Sequence, residues 1–293
     1  MELRILAAAA IVFAVGAAVI ALAGRVNKDR RLIAELWLLY WTETVVVALV
    51  LLPVVLGGAV FYGALLLLVA RGGFEIAHLA RIPYRRSFAI PLSLGAAATV
   101  FAAPLGGIGA VWAIAAATAA VGLLLGGWSA DGHRKRRILA ALSIALLGLV
   151  LAHFVLARAF LGAEWLVLIY GTVEVNDAFA LLGGKLFGSH AVFPRLSPRK
   201  TWEGLIAGLV CGGLAGMLIA WGLLALPPTR SVAAIAIILG AGLLGDLLVS
   251  AAKRGAGQKD FAPLHPALGG VLDIYDSFLV AVPLVYYCFA LTP

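Results

Sequence analysis

Long apolar runs recur along the sequence, with short polar or glycine-bearing breaks between them. They predict ten membrane-spanning helices, near 5–23, 36–56, 58–70, 87–103, 106–127, 138–158, 165–187, 203–226, 231–252 and 271–290. A helix rises about 1.5 Å per residue, so about 20 apolar residues cross a hydrocarbon core of about 30 Å. A closed barrel needs short strands of alternating polarity, and the runs here are unbroken instead. The second and third spans are the least regular. Pro53 and Leu56-Gly57-Gly58 fit either a tight hairpin or one kinked element, and Trp37, Tyr40 and Trp41 suit the membrane interface.

Composition gives the same fold class. The chain has 293 residues, 63% hydrophobic and 12% charged, with mean hydropathy +1.08, where a soluble domain carries about 25% charged residues. The expectation is an all-α polytopic membrane protein. Cys211 and Cys288 lie in apolar runs and offer neither metal spacing nor a disulfide framework.

The net charge of +8 reads first as topology. Of the 22 Lys and Arg, all but Arg4, Arg158, Lys185 and Arg230 fall in the breaks at 24–32, 71–86, 128–137, 188–202 and 253–270. With ten spans these breaks share one side, which positive-inside bias makes cytoplasmic, with both termini outside. No nucleic-acid partner is implied. The first span ends in Ala21-Leu22-Ala23-Gly24, which resembles a cleavage site. Its leading segment, with Glu2 and Arg4, is nearly neutral, and basic residues follow it, as in an uncleaved anchor.

The chemistry is uneven along the chain. Residues 1–160 read as N-terminal spanning helices, and 161–293 as the region that carries a site. Half of the 14 acidic residues lie between 170 and 280: Glu174, Asp177, Glu203, Asp246, Asp260, Asp273 and Asp276. Asp177, Asp246, Asp273 and Asp276 fall within or at the ends of apolar spans. A charge at membrane depth costs at least about 2.5 kcal/mol and marks a functional site. Asp273 and Asp276, three apart, are expected on one helix face, where a cation must lie between them for both to ionise. Hard cations such as Mg²⁺ take carboxylate oxygens and keep water and phosphate as further ligands. Asp246 is expected to head a helix segment, with Ser250, Lys253 and Arg254 following it.

Cationic and hydroxyl residues complete the pattern. Ser197, Arg199, Lys200 and Thr201 precede the span at 203 and suit phosphate oxygens. Lys259, Asp260, Gly269 and Gly270 precede Asp273, and paired glycines let backbone approach a ligand. The cationic breaks at 24–32, 71–86 and 128–137 lack acid partners and ordered spacing, and read as topology or anionic-lipid attraction. Gly240-x-Gly242-x-x-Gly245 fits a dinucleotide fingerprint only as a string. It lies in an apolar span, where helix packing is the better account.

These residues carry a resemblance. NDAFALLGGKLFGSHAVFPRLSPRKTWEG (176–204) and GDLLVSAAKRGAGQKDFAPLHPALGGVLDIYD (245–276) closely resemble the corresponding regions of phosphatidate cytidylyltransferases, the CDP-diacylglycerol synthases. Ser250, Lys253, Arg254, Lys259, Asp260, Gly269, Gly270, Asp273 and Asp276 fall in register with that family's pattern. Leu268 stands where the family has His, Ile274 where it has Arg, and Val249 where an acidic residue is usual. His265 lies three positions before Leu268.

The resemblance implies transfer of the cytidylyl group of CTP to phosphatidate, giving CDP-diacylglycerol and pyrophosphate. It implies Mg²⁺, alone or with a second cation, on Asp246, Asp273 and Asp276, with Lys253 and Arg254 beside them at the reacting centre. Asn176, Asp177, Ser197, Arg199, Lys200, Thr201, Ser250, Lys259, Asp260, Gly269 and Gly270 would then form the substrate pocket. The expected setting is a bacterial inner membrane, with a cavity of the C-terminal half open to the cytoplasm. A homodimer is common in the family. Other readings are a cytidylyltransferase for an ether or isoprenoid phosphate, a transporter, or an inactive scaffold of the same fold.

Overall fold

The computed structural model describes residues 30–82, 85–127, 133–193, 197–262 and 269–290, with scattered positions among the first 25. The span expected at 5–23 lies largely outside them. The chain divides into two compact units, Met1–Ala64 and Leu65–Pro293. Six helices are long and apolar enough to cross a membrane, and Tyr40–Leu56 and Phe278–Phe289 are shorter apolar helices. This is an α-helical polytopic membrane protein.

The first unit holds α1 (Arg30–Leu56) and the opening turns of α2 (Gly58–Leu79). Gly57 and Gly58 separate them with φ of 64° and 49°, a left-handed pair that glycine adopts without Cβ strain. The α2 helix runs nine residues beyond the span expected at 58–70, and Arg71 and Glu75 pair across one turn of that extension at 2.8 Å. The stretch from 71 to 79 is therefore helix rather than loop.

In the second unit, α3 (Arg85–Gly127) carries 43 residues. Straight, it would measure about 65 Å, twice a bilayer core. At Gly107 the backbone leaves helical space (φ 63°, ψ −158°), and the helix folds back on itself there. A Cβ built on Gly95 would meet the Thr118 hydroxyl at 2.6 Å, and one on Gly122 would meet Leu92 at 3.2 Å. Both pairs straddle residue 107, so the two arms run antiparallel and correspond to the runs at 87–103 and 106–127. Small residues let the next helix, α4 (Arg134–Phe160), pack closely: a Cβ on Gly148 would come within 2.6 Å of the Ala96 Cα.

The remaining elements are α5 (Ala163–Phe187), a ribbon of β1 (Ala191–Phe193) and β2 (Ser197–Thr201), α6 (Trp202–Gly222), α7 (Pro228–Gly255), α8 (Val271–Ile274) and α9 (Phe278–Phe289). The strands pair antiparallel, Ala191 opposite Thr201 and Phe193 opposite Ser197. A polar ribbon therefore replaces the plain loop expected at 188–202. The run at 271–290 is also broken. The α8 helix stops after four residues, and α9 restarts at Phe278, whose N–H bonds Tyr275 O at 3.0 Å.

Candidate active site

Glycines bring the site's first wall together. Along α6, Gly204, Gly208, Gly212 and Gly216 recur every four residues and are all buried. Cβ atoms on Gly208 and Gly212 would lie 2.7 Å from the Asn176 carbonyl oxygen and 3.0 Å from the Asn176 Cα. Only bare backbone allows α5 so close. That approach sets Asn176 and Asp177 beside α6, with Asn176 Nδ2 donating to Asp177 Oδ1 at 2.9 Å.

The second wall is α7. A Cβ on Gly245 would collide with the Asp276 carbonyl oxygen, so glycine here admits the turn between α8 and α9. Beside it, Asp246 pairs with Lys200 from β2, and Ser250 Oγ donates to Asp246 Oδ1 at 3.4 Å. Lys200 reaches the site because β2 feeds directly into α6, where the Thr201 hydroxyl accepts from Gly204 N at 3.2 Å as the helix cap.

The third wall is the turn through α8. Lys253, 8% exposed, donates to Asp273 Oδ1 at 2.5 Å. Asp273 Oδ2 accepts from Gly270 N at 2.9 Å and from Phe261 N at 3.2 Å. Asp276 Oδ1 accepts from Ser277 N at 2.7 Å.

Together these walls enclose a cavity of about 380 Å³, lined on its polar side by Asn176, Asp177, Ser197, Lys200, Thr201, Asp246, Asp273, Asp276 and Ser277. Leu181, Leu205, Leu209, Leu239 and Leu243, with Ala180, Val192 and Phe193, line the rest. Burial pushes the Asp276 carboxyl up to about 7, opposed by Lys253 and reinforced by the Asp177 charge. Burial also pulls the Lys200 ammonium below the usual lysine range, and the Asp177 and Asp276 carboxylates act against it.

Several sequence expectations take a different place. Asp246 lies inside α7, nine residues before its end, rather than at a helix start. Asp273 and Asp276 do not share one helix: Asp273 caps α8 and Asp276 stands in the break after it. Lys253 is the cation paired with Asp273, and its charge also acts on Asp276. Arg254 is exposed and donates to Gln258 O at 3.2 Å, and Lys259 and Asp260 are exposed, so none of the three lines the cavity. Gly269 and Gly270 approach protein rather than open space. A Cβ on Gly269 would meet Asp273 Oδ2 at 2.9 Å, and one on Gly270 would meet Glu75 Oε2 at 2.6 Å. The side chain of Arg199, and His265 and Leu268, lie outside the described residues.

One acid was missed. Glu75 of α2 is fully buried and accepts from Val271 N at 2.9 Å and Leu272 N at 3.0 Å. Arg71 Nε donates to Glu75, and its terminal nitrogen donates to Ala262 O at 2.6 Å. The segment from 71 onward therefore does have an acid partner, contrary to the topological reading. An Arg and a Glu four apart at the end of an apolar run were the available signal.

The donor set is of the kind a hard cation takes. Four carboxylates border one cavity, and Asn176 Oδ1 is buried with no hydrogen-bond partner. Among the described residues no three Asp, Glu, His or Cys side chains close on one point. Mg²⁺ does not need such a cage, because it commonly takes one or two carboxylates and fills its shell with phosphate oxygens and water.

Fold and site define a polytopic helical membrane protein with four carboxylates and a lysine around a half-apolar cavity. The model of the cytidylyltransferase family matches residues 37–292, and the chain belongs to that family. It is 33% identical over 145 residues to the phosphatidate cytidylyltransferase of Staphylococcus haemolyticus, covering 49% of this chain and 55% of that protein. It is 32% identical over 136 residues to the phosphatidate cytidylyltransferase of Rickettsia bellii, covering 42% and 57%. Against the uncharacterized protein YnbB of Escherichia coli it is 36% identical over 126 residues, covering 43% and 42%. The chain spans about half the length of the curated relatives it matches.

Proposed function

We propose that the chain transfers the cytidylyl group of CTP to phosphatidate, giving CDP-diacylglycerol and pyrophosphate. One observation carries this reading: a single cavity joins four carboxylates and Lys200 to a wall of leucines. A charged nucleotide and the headgroup of a lipid with apolar chains can meet in such a place. Family membership and the two relatives named phosphatidate cytidylyltransferase support it.

The nucleophile is an oxygen of the lipid phosphate, whose second pKa near 6 leaves it ionised at neutral pH without a strong general base. It attacks the α-phosphorus of CTP. The bond from that phosphorus to the bridging oxygen breaks, and pyrophosphate leaves with its electron pair. The obstacle is repulsion between two anions, so the residues act by positioning and neutralisation. Lys200 and Lys253 supply positive charge, while Ser197 and Thr201 offer hydroxyls. Asp246 and Asp276 would hold Mg²⁺, alone or with a second cation, with Asn176 and Asp177 beside them. When bound, that cation screens the phosphates and polarises their oxygens. Asp273, engaged by Lys253 and two backbone amides, holds the turn.

The cavity faces the cytoplasm in this reading, because the cation-rich segments lead into it, and the termini lie outside across ten spans. Transfer to a different lipid phosphate is the second reading. Ile274 and Leu268 replace cationic or polar residues of the family pattern, and a leucine wall distinguishes acyl from isoprenoid chains weakly. Purified protein with α-labelled CTP, Mg²⁺ and a panel of phosphatidate, ether and isoprenoid phosphates separates the readings by which lipid becomes labelled.

A further inference from the structure

Asp273 and Asp276 stand on a turn with little structure of its own. The α8 helix has four residues, a single turn that no helix of this length sustains alone. Besides the local bonds to Asp273, the turn is held from almost two hundred residues earlier. Glu75 receives the first two backbone N–H groups of α8, and Arg71 grips the same carboxylate while bonding Ala262 O. One ion pair on α2, half-buried at Arg71 and fully buried at Glu75, thus ties both described flanks of the connection between α7 and α8. Gly270 is the complement of this clasp, since any side chain there would strike Glu75 Oε2 and the Phe261 Cβ.

We propose that Glu75, braced by Arg71, is a positioning residue that fixes the turn carrying Asp273 and Asp276 against the cavity. This rests on the cytidylyltransferase reading for its catalytic consequence, though not for the clasp itself. Glu75 lines no part of the cavity, so it acts through the turn and not on substrate. Its carboxylate has four lone-pair sites, and two backbone amides and a guanidinium use three of them. A Gln at this place turns a donor toward one of the amides, and a buried amide left unbonded loosens the turn.

The test uses full-length protein in detergent, wild type and Glu75→Gln, with two readouts. Hydrogen exchange of peptides covering 269–277 is expected to quicken about tenfold in Glu75→Gln, while peptides from α4 and α5 keep their protection. The Mg²⁺ concentration giving half-maximal transfer is expected to rise about tenfold. A loss of folded protein alone lowers the rate without moving that midpoint. Unchanged exchange at 269–277, an unchanged Mg²⁺ midpoint, or quickened exchange spread evenly over the helices overturns the proposal. If Glu75→Gln does not fold, Arg71→Met decides: faster exchange at 261–262 and 269–277 supports the clasp, and unchanged exchange there removes it. A wild type that labels no lipid phosphate defeats the functional reading, yet leaves the exchange comparison intact.

Discussion

Lys253 Nζ lies 2.5 Å from Asp273 Oδ1, which joins the end of α7 to the turn that begins α8. The ammonium also stands 5.7 Å from the centre of the Phe261 ring. It is a buried cation with a committed partner, unlike the exposed Arg254 next to it. Lys253→Met leaves Asp273 with its two backbone donors but without its counter-charge. Removing one partner of a buried pair costs about 3–5 kcal/mol, and the amides keep this case near the lower figure. Thermal unfolding in detergent is expected to show the loss. Transfer is expected to fall about 100-fold, the usual effect of removing one electrostatic contact to a transition state. Lys253→Arg is expected to recover part of both.

The approach of α5 to α6 gives a second prediction. A Cβ on Gly208 would meet the Asn176 carbonyl oxygen at 2.7 Å, whereas Gly213 on the same helix has nothing within 4 Å. Gly208→Leu is expected to push the helices apart at a cost of about 1–3 kcal/mol. Gly213→Leu, facing open space, is expected to stay within about 0.5 kcal/mol of wild type. Their melting temperatures in one detergent make the comparison, and Gly208→Leu is also expected to lose transfer because Asn176 and Asp177 move with α5.

Away from the cavity, Tyr287 links three elements. His153 Nδ1 sits 2.8 Å from Leu149 O, so that nitrogen carries the proton and Nε2 accepts from the Tyr287 hydroxyl at 3.0 Å. The Trp112 indole donates to the same hydroxyl at 3.2 Å. Tyr287→Phe removes both bonds at a cost of about 1–3 kcal/mol. It is expected to lower the melting temperature and leave the rate of the folded fraction unchanged.

Lys200 and Asp246 pair across the cavity from different elements. Lys200→Met is expected to raise the KM for CTP and to weaken the dependence of KM on salt, since a charge that meets phosphate is being removed. Initial rates at two ionic strengths check this. An unchanged KM would assign Lys200 to the fold alone.

Much of this architecture is legible in the sequence for a physical reason. Lipid-spanning helices must satisfy their own backbone, so apolar runs report them directly. Asp177, Asp246, Asp273 and Asp276 stand out because charge in such runs is costly. What stayed hidden depends on distant partners. Glu75 contacts residues 196 and 197 positions away, and its one local mark, an Arg four residues before it, does not say which distant turn it holds. The break after Ile274 was hidden because residues 271–290 read as one apolar run, while Asp273 and Asp276 bond local amides and interrupt the helix. The roles of Gly269 and Gly270 were misread in the same way. Their bare backbone admits Asp273 and Glu75, and only the folded chain shows those neighbours.

The central claim is that carboxylates from α7 and from the turn after α8 act together on two phosphates in one cavity. It is tested most directly by moving label from the α-phosphate of CTP into lipid, comparing wild type with Asp246→Asn and Asp276→Asn. Wild type is expected to yield one CDP-lipid per pyrophosphate, and each variant to remain folded with transfer reduced at least about 100-fold. Folded variants as fast as wild type would contradict the claim, as would a wild type inert toward every lipid phosphate offered.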